Sequence, residues 1–424
     1  MGSEYDYLSK VGNMGSELQG MLSPYRVLDL TDEKGLLCGK ILGDLGADVI
    51  KVERPGGDPA RNIGPFYHDE PDPQKSLFWF AYNTNKRGIT LNIEKPEGQD
   101  IFKMLVKGSD FVIESFSPGY MDELGLGYTE LEKLNPGIIL VAITPFGRSG
   151  PYRDYKTSDA ISWAMGGQTY LWGDIDRPPV GISHHGHAYL LAGSQAAVGA
   201  LMALYWRGTT GRGQRVDISI HETVSYISLK NTIGWPMTQT ITQRDPIARQ
   251  TTNSKVTWSC KDGWVTFGFT GTATAPRSLQ GLVKWMEEEG VANELIKSFD
   301  WSSLNLQTIT EEVISRLVEP TEEFFKSHTK LEILRGAIKH RVLVYPMATT
   351  KDILESEQLS ARNFWVNLDH PALGESIAYP GAFLRSSTLS QRAPLAGEHN
   401  RDIYQGEMGL SSERLDSLIQ ANVI

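Results

Sequence analysis

Between Ala188 and Trp206 the chain runs for nineteen residues without a charge (AYLLAGSQAAVGALMALYW), close to the ~20 that a helix needs to span a bilayer. The middle of this run is small rather than greasy: Gly193, Ser194, Gln195, Ala196, Ala197, Gly199 and Ala200 interrupt it. Small residues let neighbouring backbones approach closely, and the sequence holds no second run of this kind. The segment therefore reads as one helix packed tightly inside the protein or a subunit interface, with no membrane engagement.

The N-terminal half supplies elements for such a helix to pack on. Strand-like runs at Tyr25–Leu30 (YRVLDL), Asp48–Glu53 (DVIKVE), Thr90–Ile93, Phe111–Ile113 and Ile138–Ile143 alternate with stretches of helical spacing. The first of these stretches is Gly35–Leu45 (GLLCGKILGDL), with Gly46 as its stop, and the Pro55-Gly56-Gly57 turn ends the second strand. Such alternation implies an α/β fold with a mostly parallel sheet, whose ligands bind at the carboxyl ends of the strands. No G-x-G-x-x-G follows the first strand, which argues against a dinucleotide dehydrogenase. Beyond the Gly211-Arg212-Gly213-Gln214 turn, Val216–Ile220 reads as a strand. Val256–Phe269 reads as a hairpin turning at Asp262-Gly263, Leu304–Ser327 as helical and Ser412–Ala421 as a closing helix.

A chain of 424 residues exceeds the ~250–300 at which single cores stop growing. Composition changes near Gln243, and Pro and Gly return from Pro346. We expect a flexible tail over 1–21, a large domain beginning at 22–235, a small domain at 236–345, and a return to the large domain over 346–424. The formal net charge of −10 argues against a nucleic-acid partner, which would need clustered Lys and Arg. A local basic patch can still hold an anionic ligand. Only Cys38 and Cys260 occur, as suits a reducing cytoplasm, and the first 21 residues lack the basic start and apolar core of a signal peptide.

Eight strings occur in an order that resembles the family III CoA-transferases: VLDLT at Val27, LGDLGADVIKVERPGGDPAR at Leu42, NTNKRGITLNI at Asn83, PGYMDELGLGY at Pro118, ITPFGRSGPY at Ile143, TGRGQRVDISIHE at Thr210, KDGW at Lys261 and APLAGEHN at Ala393. Each is weak alone; together they are specific. The resemblance implies a Rossmann-like large domain made from both ends of the chain, a smaller α+β domain between them, and two chains interlocked like links. It also implies CoA or acyl-CoA as substrate with no permanently bound cofactor. Arg54, at the end of a strand, and Lys86 and Arg87, expected in a turn beside Asn83 and Asn85, are cations suited to the phosphates of CoA. Phe116 and Lys156 match family positions near the same ligand.

In family members that transfer CoA, an aspartate four positions before the small-residue helix attacks the acyl-CoA carbonyl. Counting back from Gly193, that position is Tyr189, flanked by Ala188 and Leu190. A phenol with a reference pKa near ~10 is mostly protonated at neutral pH. The nearest upstream acids, Asp174 and Asp176, precede the Pro178-Pro179 pair and belong to another loop. Ser115, Glu123 and the pair Asp32-Glu33 also depart from the family pattern, and the added carboxylates oppose CoA phosphates. His184, His185 and His187 invite a metal, but no second ligand group stands at a suitable spacing, so we expect no metal there.

The resemblance thus implies a subunit without the catalytic aspartate, in a heterodimer or heterotetramer with a homologous catalytic subunit. The activity implied is CoA transfer from succinyl-CoA to an arylalkylsuccinate such as (R)-benzylsuccinate. Whether this subunit itself holds CoA stays open. Two other readings remain: an independent homodimeric transferase, racemase or lyase with a displaced nucleophile, and a non-catalytic binding or scaffold protein.

Overall fold

The computed structural model describes residues 20–173, 177–181, 186–242, 256–269, 275–301, 311–384 and 389–424. Six strands form one sheet: β1 (Arg26–Leu30), β2 (Asp48–Glu53), β3 (Lys86–Thr90), β4 (Phe111–Glu114), β5 (Ile139–Thr144) and β6 (Arg215–Ser219). Their order is β3-β2-β1-β4-β5-β6 and every pairing is parallel. The chain is thus a mixed α/β protein, as its strand–helix alternation predicts. Strands β4 and β5 are buried at every residue, because a parallel sheet is covered on both faces.

Helices used below are α1 (Leu36–Asp44), α2 (Pro96–Lys107), α3 (Asp159–Met165), α4 (His187–Thr210) and α5 (Ile220–Ile227). Gly46, at φ 99°, turns the chain out of α1 in the left-handed conformation that glycine tolerates. On one face of the sheet, Leu28, Ile50, Val112 and Leu140 share a core with Phe102 of α2 and with Ile403, Tyr404, Leu415 and Leu418 from the end of the chain.

The long uncharged run is helix α4, and it has two unlike sides. Its small residues Ala188, Ala192, Gly193, Ala196, Ala197, Ala200 and Ala203 are buried. A side chain at Gly193 would meet the Cβ of Leu37 at 3.1 Å and the backbone nitrogen of Cys38 at 3.3 Å, so α1 and α4 approach closely at this glycine. The larger side chains Val198, Met202, Tyr205 and Trp206 are exposed. Among the described residues this is the one helix long and apolar enough to cross a membrane by length and composition. Its buried side packs on α1, α5, β5 and β6.

The chain divides into two units. One comprises the described parts of Met1–Gly166, Ser183–Ser228 and Arg362–Ile424; the other comprises Gly167–Ile182 and Leu229–Ala361. In the second unit, strands β7 (Thr257–Cys260), β8 (Gly263–Thr266) and β9 (Tyr345–Pro346) form an antiparallel sheet. Its core gathers Trp258, Phe267, Trp285, Phe324, Phe325 and Ile333. The hairpin expected to turn at Asp262-Gly263 is β7–β8.

One expectation needs correction. The strand placed at Thr90–Ile93 lies instead at Lys86–Thr90, where β3 pairs with β2 from Val49↔Lys86 to Glu53↔Thr90. Lys86 and Arg87 therefore belong to a strand and not to a turn, because pairing with β2 outweighs the polar character of their side chains. The helix expected over Leu304–Ser327 is Glu311–Lys326, and 302–310 lie outside the described residues.

Candidate functional site

The order of the strands reverses between β1 and β4, and ligands of open α/β sheets bind at such a point. A cavity of about 400 Å³ opens there, at the carboxyl ends of β1, β2 and β4, lined by Leu30, Asp32, Glu53, Arg54, Asp58, Asn92, Glu94, Ser115, Phe116, Tyr120 and Asn422, among others. Two of the residues expected from the sequence, Arg54 and Phe116, meet in this cavity. The ring of Phe116 lies 4.8 Å from that of Tyr120. Arg54 is exposed, and its Nε donates only a long 3.4 Å bond to the Gly57 carbonyl.

The acids of the cavity differ in their partners. Arg61 grips Glu53 through Nε at 2.6 Å and a terminal nitrogen at 2.8 Å. Lys51 pairs with Asp58 at 3.2 Å. Asp32 is paired with Lys34 and accepts the Ser115 hydroxyl at 2.7 Å. Glu94 accepts the Tyr120 hydroxyl at 2.8 Å and has no ion pair among the described residues. Neighbouring Lys95 turns away, donating to the Ala421 carbonyl at 2.5 Å. Burial and then the adjoining Glu94 push the Tyr120 phenol up to about 12.

Other expected residues fall elsewhere. Lys86 is fully buried, its ammonium held by Asp29 at 2.8 Å, the Leu36 carbonyl at 2.9 Å and Asn83 at 2.9 Å. It closes a core ion pair, and its side chain does not reach the cavity. Lys156 is exposed in the loop before α3 and does not line the cavity. Nor does Glu123, which is exposed at the end of the short helix Tyr120–Glu123. Glu94 went unmarked in the sequence. Its only signal was its place directly after the Asn83 string, and nothing there separates a cavity acid from a solvated one.

Tyr189, which the resemblance aligns with the nucleophile, does not itself line the cavity. Tyr189 is in the first turn of α4, which begins after Gly186 at φ 72°. The backbone N–H of Ala188 donates to Asp159 Oδ1 at 2.8 Å, so the first residue of α3 pins the start of α4. Tyr189 is half-buried. Burial, followed by the carboxylates of Glu33, Asp159 and Asp32, drives its proton affinity far above that of an ordinary tyrosine. Burial and the neighbouring Asp32 likewise raise the Glu33 carboxyl, against the pull of Lys34. Tyr189 is thus a neutral phenol near several acids, able to donate a hydrogen bond.

His184, His185, Asp174 and Asp176 lie outside the described residues. His187 is the exposed first residue of α4. Among the described residues no three His, Cys, Asp or Glu side chains gather to hold a metal ion.

The family model for CoA-transferase family III matches residues 22–400. Subunit BbsE of the succinyl-CoA:(R)-benzylsuccinate CoA-transferase of Thauera aromatica is 34% identical over 412 residues, spanning 95% of this chain and 98% of that one. The succinyl-CoA–D-citramalate CoA-transferase of Chloroflexus aurantiacus is 32% identical, spanning 95% of this chain and 98% of that one. A solved CAIB/BAIF family protein from Brucella suis matches with a TM-score of 0.78 at 27% identity, covering 92% of this chain and 99% of that one.

Proposed function

The chain belongs to CoA-transferase family III, and from that premise we propose that it is the subunit without the catalytic aspartate in a heteromeric CoA-transferase. The reaction assigned to the heteromer moves CoA from succinyl-CoA to an arylalkylsuccinate such as (R)-benzylsuccinate. What supports this reading is the neutral phenol of Tyr189, its proton held by burial and by Glu33, Asp159 and Asp32, at the position that the resemblance aligns with the nucleophile. Further support comes from a similar chain that is itself named a subunit of such an enzyme.

The chemistry explains why a partner is needed. A carboxylate attacks the acyl-CoA carbonyl and releases the CoA thiolate, leaving a mixed anhydride. The thiolate then attacks the enzyme carbonyl of that anhydride, forming an enzyme thioester and releasing the donor acid as its carboxylate. The acceptor carboxylate runs the same two steps in reverse, to leave with CoA and free the enzyme carboxylate. An aryl ester on Tyr189 would need a phenolate to form, which the surrounding charges oppose. The homologous partner chain supplies the aspartate in this reading. The exposed apolar row of α4, Val198, Met202, Tyr205 and Trp206, suits coverage by that chain, since apolar side chains gain by leaving water. The cavity with Arg54 and Phe116 is the proposed place for the nucleotide end of CoA in this subunit.

Expression of the chain alone, and then with the homologous chain carrying the aspartate, tests the proposal. We expect no transfer from succinyl-CoA by the chain alone and robust transfer on co-expression. Loss of transfer is expected when the partner's aspartate is changed to alanine. Turnover by a homogeneous sample of this chain would overturn the proposal in favour of a displaced nucleophile. Glu33 and Asp159, the carboxylates beside Tyr189, would then be the first to replace by their amides.

A further inference from the structure

The strand-end cavity carries one cation and one acid without an ion-pair partner among the described residues. Among the described residues Arg54 has no carboxylate partner, and Glu94 has no cation, only the Tyr120 hydroxyl at 2.8 Å. Every other acid of the lining is answered internally: Glu53 by Arg61, Asp58 by Lys51 and Asp32 by Lys34. A complementary ligand therefore brings one phosphate group to Arg54 and hydrogen-bond donors, not a second anion, to Glu94. The rings of Phe116 and Tyr120 offer an apolar surface, and Asn92 and Asn422 offer neutral polar groups.

We propose that this cavity binds an adenosine nucleotide whose ribose hydroxyls are free, and discriminates against one carrying a ribose phosphate. The proposal rests on the reading above, in which the cavity receives the nucleotide end of CoA. An unpaired acid in such a cavity accepts hydrogen bonds from a ribose diol and repels a ribose phosphate. Glu94 is such an acid. CoA brings a pyrophosphate and a 3′-phosphate; Arg54 can answer the first, and the second would meet the Glu94 carboxylate. Dephospho-CoA brings the same pyrophosphate with a free diol, so it matches both charges of the cavity.

Calorimetric titration of the full chain with CoA and with dephospho-CoA, at low and at physiological salt, tests this. Because Glu94 is exposed, the expected preference is modest: dephospho-CoA tighter by about tenfold, shrinking as salt screens the carboxylate. Glu94→Lys should invert the order, and Glu94→Gln should abolish it; both are surface changes whose folding circular dichroism can verify. Arg54→Ala should weaken both ligands alike. Equal affinities, or tighter binding of CoA by the unaltered chain, would overturn the discrimination while leaving the cavity a CoA site. Binding of neither ligand would overturn the inference and remove the nucleotide site from this subunit, yet partner-dependent transfer would still stand or fall on the co-expression assay.

Discussion

Lys51, Lys86 and Arg61 are closed off by Asp58, Asp29 and Glu53 in the large unit, whereas Arg54 and Glu94 line an open cavity with no ion-pair partner among the described residues. Lys51, Arg54 and Arg61 share the stretch beginning at Leu42, Lys86 lies in the one beginning at Asn83 and Glu94 directly follows it, and Arg54 is three residues from Lys51. The difference is one of solvent. A charge taken out of water must be paired and hydrogen-bonded or it costs several kcal/mol, so every interior member has its partner. At the rim, water meets that cost, and a charge is free to await a ligand. Cationic strings therefore do not translate directly into phosphate ligands. In the interior set even the space is filled, for a Cβ at Gly39 would lie 2.1 Å from the Asp29 carboxylate.

The sharpest way to break this contrast is Lys86→Met. It would leave Asp29 buried and unanswered, although Lys51 and Thr31 still adjoin it. We expect a loss of about 3–5 kcal/mol in stability, read as a lower urea midpoint. A loss below about 1 kcal/mol together with weakened CoA binding would return Lys86 to the ligand site.

A second test concerns an interior acid whose partner is poorly placed. Glu114 accepts the Phe116 N–H at 2.8 Å, but Arg148 stands 3.6 Å away and is shared with Asp122. Burial pushes its carboxyl up to about 7. The folded chain then holds this proton more tightly than the unfolded chain does. The resulting stability is fully present below the ordinary carboxyl value and is lost as pH rises to about 7, after which it changes no further. We expect a decline of up to about 3 kcal/mol across that window, and Glu114→Gln should flatten it. Denaturation midpoints at pH 5 and pH 8 would decide; a stability that rises over this interval in the unaltered chain would show Glu114 to be a well-paired carboxylate.

The smallest expected effect belongs to a rescue. Tyr189→Asp, in a complex whose catalytic aspartate has been changed to alanine, should leave transfer near the doubly inactive control. The new carboxylate would sit among Glu33, Asp159 and Asp32, which favour its protonated form. A positioned nucleophile also needs donors for the developing oxyanion. Recovery of about a hundredfold over that control would show an otherwise intact site lacking one group.

Much of the architecture was legible because its signals are local. Apolar runs of strand length, helical spacing and Gly46 mark β1, α1 and β2 within a residue or so of their observed ends. The placement of Arg54 at the edge of β2 follows from that strand alone. The fate of Lys86 was not legible, because a five-residue strand that starts with two cations resembles a turn until β2 lies beside it.

Sequence alone carried the alternation of strands and helices and the small-residue helix α4, and the resemblance, not any spacing rule, singled out Tyr189. The strand and helix signals depend on residue type and on spacing along one segment, so they can be read before any distant contact is known. Tertiary structure decided which charges are interior and which are available. It sent Lys86 to Asp29, placed Glu123 outside the cavity, brought Glu94 beside Tyr120, and set Asp159 at the first turn of α4. Each of these outcomes joins segments far apart in the chain. A charge's role is fixed by the dielectric and the partners around it, and those exist only after the segments have packed.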